Sequence, residues 1–259
     1  MLKPYLMGRY EALFDQAEQA VADDAVLLSR VYTARLPLQY SKLEIMRTER
    51  GSNPAEMKTL LNLFEKRVRE LGIEELNERR NSPEEYCALY RERFMPRKAR
   101  SLASGASVNF IEGPTGKYAD LGKTALTDEL FGGSTFVESW VGWEGKNASM
   151  IIDLGEKRNF TQVKTDFLHQ LGAWILLPRQ VVYSISDDNE NFRNIGTVDF
   201  SEDNSRQVKY VEATVESQNN TSFSGRFIKV DVKGMINCPE WHYGVGNPCW
   251  FFIDEIMVY

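Results

Sequence analysis

Near residue 96 the hydrophobic period of this chain changes, and the change limits what each side of it can fold into. Upstream, apolar residues recur at intervals of three and four. Leu13, Phe14, Ala17, Ala20 and Val21 form one such set, Leu27, Leu28, Val31, Ala34 and Leu38 a second, and Met57, Leu60, Leu61, Phe64, Val68 and Leu71 a third. This spacing gathers each set on one face of a helix. Pro37 lies in the path of the second segment and predicts a kink or break there. Two helix starts are marked chemically. Asn53-Pro54-Ala55-Glu56 and Ser82-Pro83-Glu84-Glu85 each place a capping side chain, then proline in the first turn, then Glu at the third helical position. Residues 1–95 are therefore predicted as three or four helices packed as a small antiparallel bundle.

After Phe94-Met95-Pro96 the runs shorten and become rich in Val, Ile, Phe and Tyr, separated by clusters of Gly, Asn, Asp and Pro. Seven strands are predicted, at 148–154, 160–167, 180–186, 192–198, 207–215, 226–232 and 251–259. That number and spacing suit an antiparallel sandwich over residues 96–259. Trp140, Trp143 and Trp250 stand beside strand-like runs and are expected in its core.

Charge narrows the function. The net charge is −6, with Lys and Arg interspersed among Asp and Glu. A nucleic-acid partner needs a concentrated basic face, so that class is set aside. No apolar run reaches the roughly 18 to 20 residues that span a bilayer, and residues 1–10 lack the apolar stretch of a secretory signal. Of the three cysteines, Cys87 falls in a helical segment and reads as a small buried apolar residue. Cys238 and Cys249 bracket a loop from Pro239 to Pro248, a pair able to close it as a disulfide in an oxidising compartment. No nucleophile context, phosphate-binding glycine loop or singled-out pair of carboxylates is present, so no catalytic site is expected within the chain.

The second half carries an ordered series of landmarks. These are Ser101-Leu102-Ala103-Ser104-Gly105, Leu126-Thr127-Asp128, Trp140-Val141-Gly142-Trp143-Glu144-Gly145, Ile151-Ile152-Asp153-Leu154-Gly155, Ser184-Ile185-Ser186-Asp187-Asp188-Asn189, Gly225-Arg226-Phe227-Ile228-Lys229-Val230 and Phe252-Ile253-Asp254-Glu255-Ile256-Met257-Val258-Tyr259. In that order they resemble the discoidin, or coagulation-factor type C, domain, and within it the family 32 carbohydrate-binding modules. The fold implied is a small helical bundle followed by a discoidin-like antiparallel β-sandwich (jelly roll). The run from Tyr10 to Val21, with Arg30-Val31 and Ala34-Arg35-Leu36-Pro37-Leu38, is similar to the C-terminal end of an uncharacterised family of bacterial glycoside hydrolases.

The resemblance implies two kinds of site. A structural calcium ion would be held by Asp128, Ser134 in the turn 132–135, and Glu255, with loop carbonyls completing an oxygen shell. Asp128 is followed by Glu129 where the family has glycine, which puts the usual turn in question. Carbohydrate would be held by an aromatic that stacks on a pyranose face and by polar side chains that bond its hydroxyls. The candidates are Trp241, His242, Tyr243 and Asn237 in the loop 237–250, with Trp174, His169 and Arg179 from the loop before the 180–186 strand. Arg179 and Arg226 have an alternative reading as braces that tie loops to carbonyls.

Two functions follow. In the first, the chain is the non-catalytic carbohydrate-binding accessory region of a glycoside hydrolase. Its partners would be a glycan and an upstream catalytic domain, with no nucleic acid or membrane, and it would work in the periplasm, at the cell surface or secreted. In the second, the sandwich is a structural or protein-interaction domain packed on the helices and the catalytic barrel, with no sugar site. Solvated aromatics favour the first reading and buried ones the second.

Overall fold

A computed structural model describes residues 4–49, 51–76, 81–95, 100–133, 135, 136, 139–219 and 221–259. It divides into two compact units, Met1–Pro96 and Arg97–Tyr259.

Among its described residues the first unit holds four α-helices, α1 (Pro4–Ala20), α2 (Ala25–Thr48), α3 (Pro54–Glu70) and α4 (Pro83–Leu89), the last continuing into a π turn at Tyr90–Phe94. Their starts are closed by side chains. Asp24 accepts the N–H groups of Val26 and Leu27, Asn53 those of Ala55 and Glu56, and Ser82 exchanges bonds with Glu85 in a capping box. Pro37 does not break α2, which runs on through it. A proline inside a helix costs about 3 kcal/mol. Here burial of Leu36 and Leu38 on either side, with Leu43 and Met46 beyond, offsets that cost.

Of the predicted α3 stripe, Met57, Leu61, Phe64 and Val68 are buried while Leu60 and Leu71 are half-buried, and Leu43 and Tyr90 are buried in the same unit. The α1 stripe behaves differently: Leu13 is 56% exposed and Ala20 is also exposed. Charge supplies part of what apolar burial does not. Arg35 of α2 bonds Asp15 and Glu18 of α1 at 2.7 and 2.9 Å, and Arg67 of α3 reaches the same Glu18 at 2.8 Å.

The second unit is a sandwich with nine strands among its described residues: β1 (Ser107–Glu112), β2 (Val141–Glu144), β3 (Ala148–Phe160), β4 (Gln162–His169), β5 (Gln180–Ser186), β6 (Arg193–Asp199), β7 (Lys209–Glu216), β8 (Phe223–Lys233) and β9 (Trp250–Val258). One sheet has the order β1-β3-β8-β5-β6 and the other β2-β9-β4-β7, with every pairing antiparallel. Alternation sets the faces. Met150 and Ile152 of β3, Ile228, Val230 and Val232 of β8, and Val181, Tyr183 and Ile185 of β5 all enter the core, while Lys229 and Asp231 form an ion pair on the outer side of β8.

The seven predicted strands correspond to β3 through β9. The two missed strands are short. β1 sends only Val108 and Phe110 toward the core, and β2 has four residues. Trp140 and Trp143 are buried as expected, and half-buried Trp250 packs against the same core.

Register places the loops. Gln180 pairs with both Lys233 and Asp199, and His169 pairs with Lys209. The connections 170–179, 200–208 and 234–249 therefore emerge at one end of the sandwich.

Candidate functional site

The 234–249 loop is narrowed at its neck by an antiparallel pair, Asn237 with Pro248, and by a bond from the Cys238 N–H to the Asn247 carbonyl at 2.8 Å. Beyond the neck it winds through short turns. His242 N–H bonds the Pro239 carbonyl, and Val245 N–H bonds that of His242. These turns set three consecutive aromatic rings at different depths.

His242 is the deepest, at 3% exposure. Its Nδ1 accepts the Gly244 N–H at 3.0 Å, which assigns the ring proton to Nε2, 3.4 Å from the Leu171 carbonyl. Tyr243 stacks on this imidazole with centroids 4.4 Å apart and donates its hydroxyl to the Gly172 carbonyl, yet 67% of it remains exposed. Trp241 meets the imidazole edge-on at 5.9 Å, is 38% exposed, and donates its indole N–H to Glu202 at 2.6 Å.

Trp174, held in a left-handed turn, closes the far side edge-on to His242 and Tyr243. A Cβ at position 244 would lie 2.9 Å from the Trp174 ring, so glycine lets that ring sit close and a larger residue would make it shift. The result is an aromatic shelf in which a buried histidine packs against two exposed rings.

Beside Trp241 a cavity of about 20 Å³ is lined by Arg179, Phe200, Glu202, Asp203 and Met235 among others. That holds about one water. A larger ligand must lie across this surface rather than enter it.

The structure thus brings together Trp241, His242, Tyr243 and Trp174, with Arg179 alongside. Asn237 is exposed at the foot of the loop. Two expectations change. His242 is buried with Nδ1 bonded to Gly244 of its own loop and Nε2 facing the Leu171 carbonyl of the 170–179 loop, so it positions its neighbours rather than meeting a ligand. His169 is fully buried at the end of β4, its Nε2 3.0 Å from the Ser205 carbonyl, and braces the 200–208 loop instead of facing solvent. Arg226 is not a brace from loop to carbonyl: within β8 it bonds the Asp153 carboxylate of neighbouring β3 through two contacts of 2.8 Å. Glu202 was not foreseen, because its place beside Trp241 comes from a contact across 39 positions of chain. The same loop also exposes Ile236 and Val245, so its surface is less polar than its composition implies.

Near the start of the sandwich, Asp128 and Glu255 do meet. Buried Glu255 accepts the Asp128 and Glu129 N–H groups through one oxygen at 2.9 and 3.0 Å. Both oxygens of buried Asp254 accept the Gly132 N–H. Glu129 adopts φ +63°, the left-handed conformation that glycine supplies without strain. The turn is thus kept despite the substitution. Ser134 lies outside the described residues. Among those described, no group of three or more His, Cys, Asp or Glu side chains converges as a metal cluster. The donors present are hard oxygens, the type calcium takes, and here those of Glu255 and Asp254 accept backbone N–H groups of the turn.

Burial, reinforced by the charges of Asp254 and Asp128, holds the Glu255 carboxyl well above its usual value near 4.5. Between the usual and the raised value the folded chain keeps a proton that the unfolded chain has lost. Stability therefore falls as pH rises through that interval. Glu255→Gln preserves an acceptor for both N–H groups and removes the titration. With chelator present, the wild-type thermal midpoint is expected to fall more steeply than that of the variant from about pH 4.5 toward neutrality, where 4.5 is the usual carboxyl value. Parallel pH profiles of the two midpoints would contradict this assignment.

Comparison with known proteins places these observations. A family model described as the F5/8 type C domain matches residues 107–247, more than half of the chain. No curated protein matches. Similar solved structures include CpGH89CBM32-6 produced by Clostridium perfringens, at 16% identity and a TM-score of 0.36, covering 61% of this chain and 98% of that one. CpGH89CBM32-5 from Clostridium perfringens, in complex with GalNAc-β-1,3-galactose, is 16% identical at a TM-score of 0.38, covering 61% and 99%. The Streptococcus pneumoniae fucose binding module SpX-3 is 11% identical at a TM-score of 0.38, covering 62% and 98%.

Proposed function

The chain belongs to the F5/8 type C domain family, and from that membership we propose that its sandwich binds carbohydrate through the aromatic shelf of Trp241 and Tyr243. The observation that carries this reading is the pairing of two solvated rings on one buried, hydrogen-bonded histidine. A pyranose has an apolar face of C–H groups and a rim of hydroxyls. Flat rings suit the face, while Glu202 and Arg179 beside Trp241 suit the rim.

In this reading the chain supplies binding and not catalysis, and it serves as the accessory region of a longer exported glycoside hydrolase. The small cavity implies a weak site, so affinity for a polymer would come from several contacts at once. Calcium, bound by Asp128, Glu255 and turn carbonyls, would be structural, neutralising the buried carboxylates at a distance from the sugar. A glycan partner is favoured over nucleic acid or membrane. Exposed Ile236 and Val245 give a protein-interaction role its best support, and the same experiment separates the two.

That experiment is a glycan-array screen followed by calorimetric titration of the best hit. Trp241→Ala is expected to weaken binding at least about tenfold, because losing a stacking face and its apolar burial is worth roughly 1.5 kcal/mol or more. Its thermal midpoint should fall less than that of Trp143→Ala, because Trp241 is 38% exposed where Trp143 is fully buried. Chelator should lower the midpoint of the wild type and leave Glu255→Gln unchanged. A chain that binds no glycan, or a Trp241→Ala variant that binds as well as wild type, would remove the sugar reading.

A further inference from the structure

We propose that Cys238 and Cys249 form an intramolecular disulfide that closes the aromatic loop at its neck. The geometry begins with the Asn237–Pro248 antiparallel pair. Successive residues of an extended strand point to opposite faces. Cys238, just after Asn237, and Cys249, just after Pro248, therefore share the face away from that pair, and their backbones are joined to the facing strand by Cys238 N–H to Asn247 O at 2.8 Å and Cys249 N–H to Ile236 O at 3.4 Å. That face is the interior. Both side chains are buried in one cluster with Leu171, Leu176 and Met235, and Trp174 packs against it. Both thiols are free and buried, and Cys249 donates to the Met235 carbonyl at 2.7 Å.

Burial decides when the bond can form. It raises the Cys238 thiol and pushes Cys249 up to about 12, so thiolate is scarce at neutral pH once the loop is packed. The bond belongs to folding, before the cluster closes. A small-molecule disulfide such as oxidised glutathione is a sufficient oxidant. One cysteine thiolate attacks it, breaking its S–S bond and releasing one glutathione thiolate. The second cysteine thiolate then attacks the mixed disulfide, forming the Cys238–Cys249 bond and expelling the second glutathione. Two cysteine thiols lose two protons and two electrons, and one oxidised glutathione becomes two reduced. The closed ring contains Trp241, His242 and Tyr243, so the unfolded chain loses the freedom of the segment whose rings must be held in place. This holds whether or not the loop binds sugar.

The test uses the full chain, unfolded and refolded either in a glutathione redox mixture or in excess reductant, then peptide-mapped without reduction. The expected product joins the Cys238 and Cys249 peptides, leaves Cys87 as the free thiol, and melts about 5 °C or more above the reduced form. A Cys238→Ser/Cys249→Ser variant should show no such difference between the two conditions. Glutathione adducts alone, crosslinks to Cys87, or a Cys238–Cys249 product that melts no higher than the reduced chain would overturn the proposal.

Discussion

Trp143→Ala is expected to destabilise the sandwich by about 3–5 kcal/mol, the range for truncating a fully buried aromatic. Trp143 has no exposed surface. In register it faces Phe251 of β9, and the two rings lie parallel with centroids 5.4 Å apart. Its indole N–H donates to the Glu112 carbonyl at 3.0 Å, fastening the end of β1 to the opposite sheet. Alanine would open a cavity between β2 and β9 and leave that carbonyl without its donor. Both losses point the same way. Denaturant titration of the isolated variant should show a midpoint shift at unchanged slope. A loss below about 1 kcal/mol, far under the range for buried aromatics, would mean that β2 is not seated as described.

Gly132→Ala is the second large effect, and its cause is steric. A Cβ at this position would lie 2.2 Å from Trp140 Nε1 and 2.5 Å from Cδ1. The indole has little room to yield: it is buried, stacked on Tyr210, and bonded through Nε1 to the Gly133 carbonyl at 2.9 Å. Nor can the backbone retreat easily, since the Gly132 N–H is held by both oxygens of Asp254. The cost should reach or exceed the upper end of the usual ~1–3 kcal/mol for overpacking, and the turn that carries the carboxylate cluster should loosen with it. Gly172→Ala is the control, because nothing lies within 4 Å of a Cβ there. Equal midpoints for the two variants would show that the contact is relieved by small shifts.

The parts of this fold that could be read from sequence are those whose cause is local. Asn53 and Ser82 cap helices through partners two or three residues away. Strands β3 to β9 carry their runs of β-branched and aromatic residues within themselves. β1 and β2 are shorter, and they are defined by pairing with β3 and β9 across the chain. The candidate site divides the same way. Three of its rings are consecutive, at 241–243, and the family resemblance placed Trp174 with them. His169 was misjudged because the terminal residue of a strand can point either to a loop or to the interior. Its direction is fixed by the 200–208 loop, which the sequence places 30 or more positions away. Glu202 reached Trp241 by the same long-range route. The α1 stripe misled for another reason: helical spacing shows that a face exists, but not that this chain buries it.

The central claim is that the aromatic loop is a carbohydrate-binding surface, and the most direct measurement is a glycan titration followed by NMR on the indole N–H signals of the five tryptophans. Trp241 donates its indole proton to Glu202 at the exposed edge of the shelf, whereas Trp140 and Trp143 donate theirs to backbone carbonyls inside the core. The account predicts that the Trp241 indole and the 241–245 amides shift together on one saturable curve while Trp140 and Trp143 stay in place. Shifts confined to the opposite end of the sandwich, around 155–158 and 187–192, or a spectrum that no glycan changes, would contradict it.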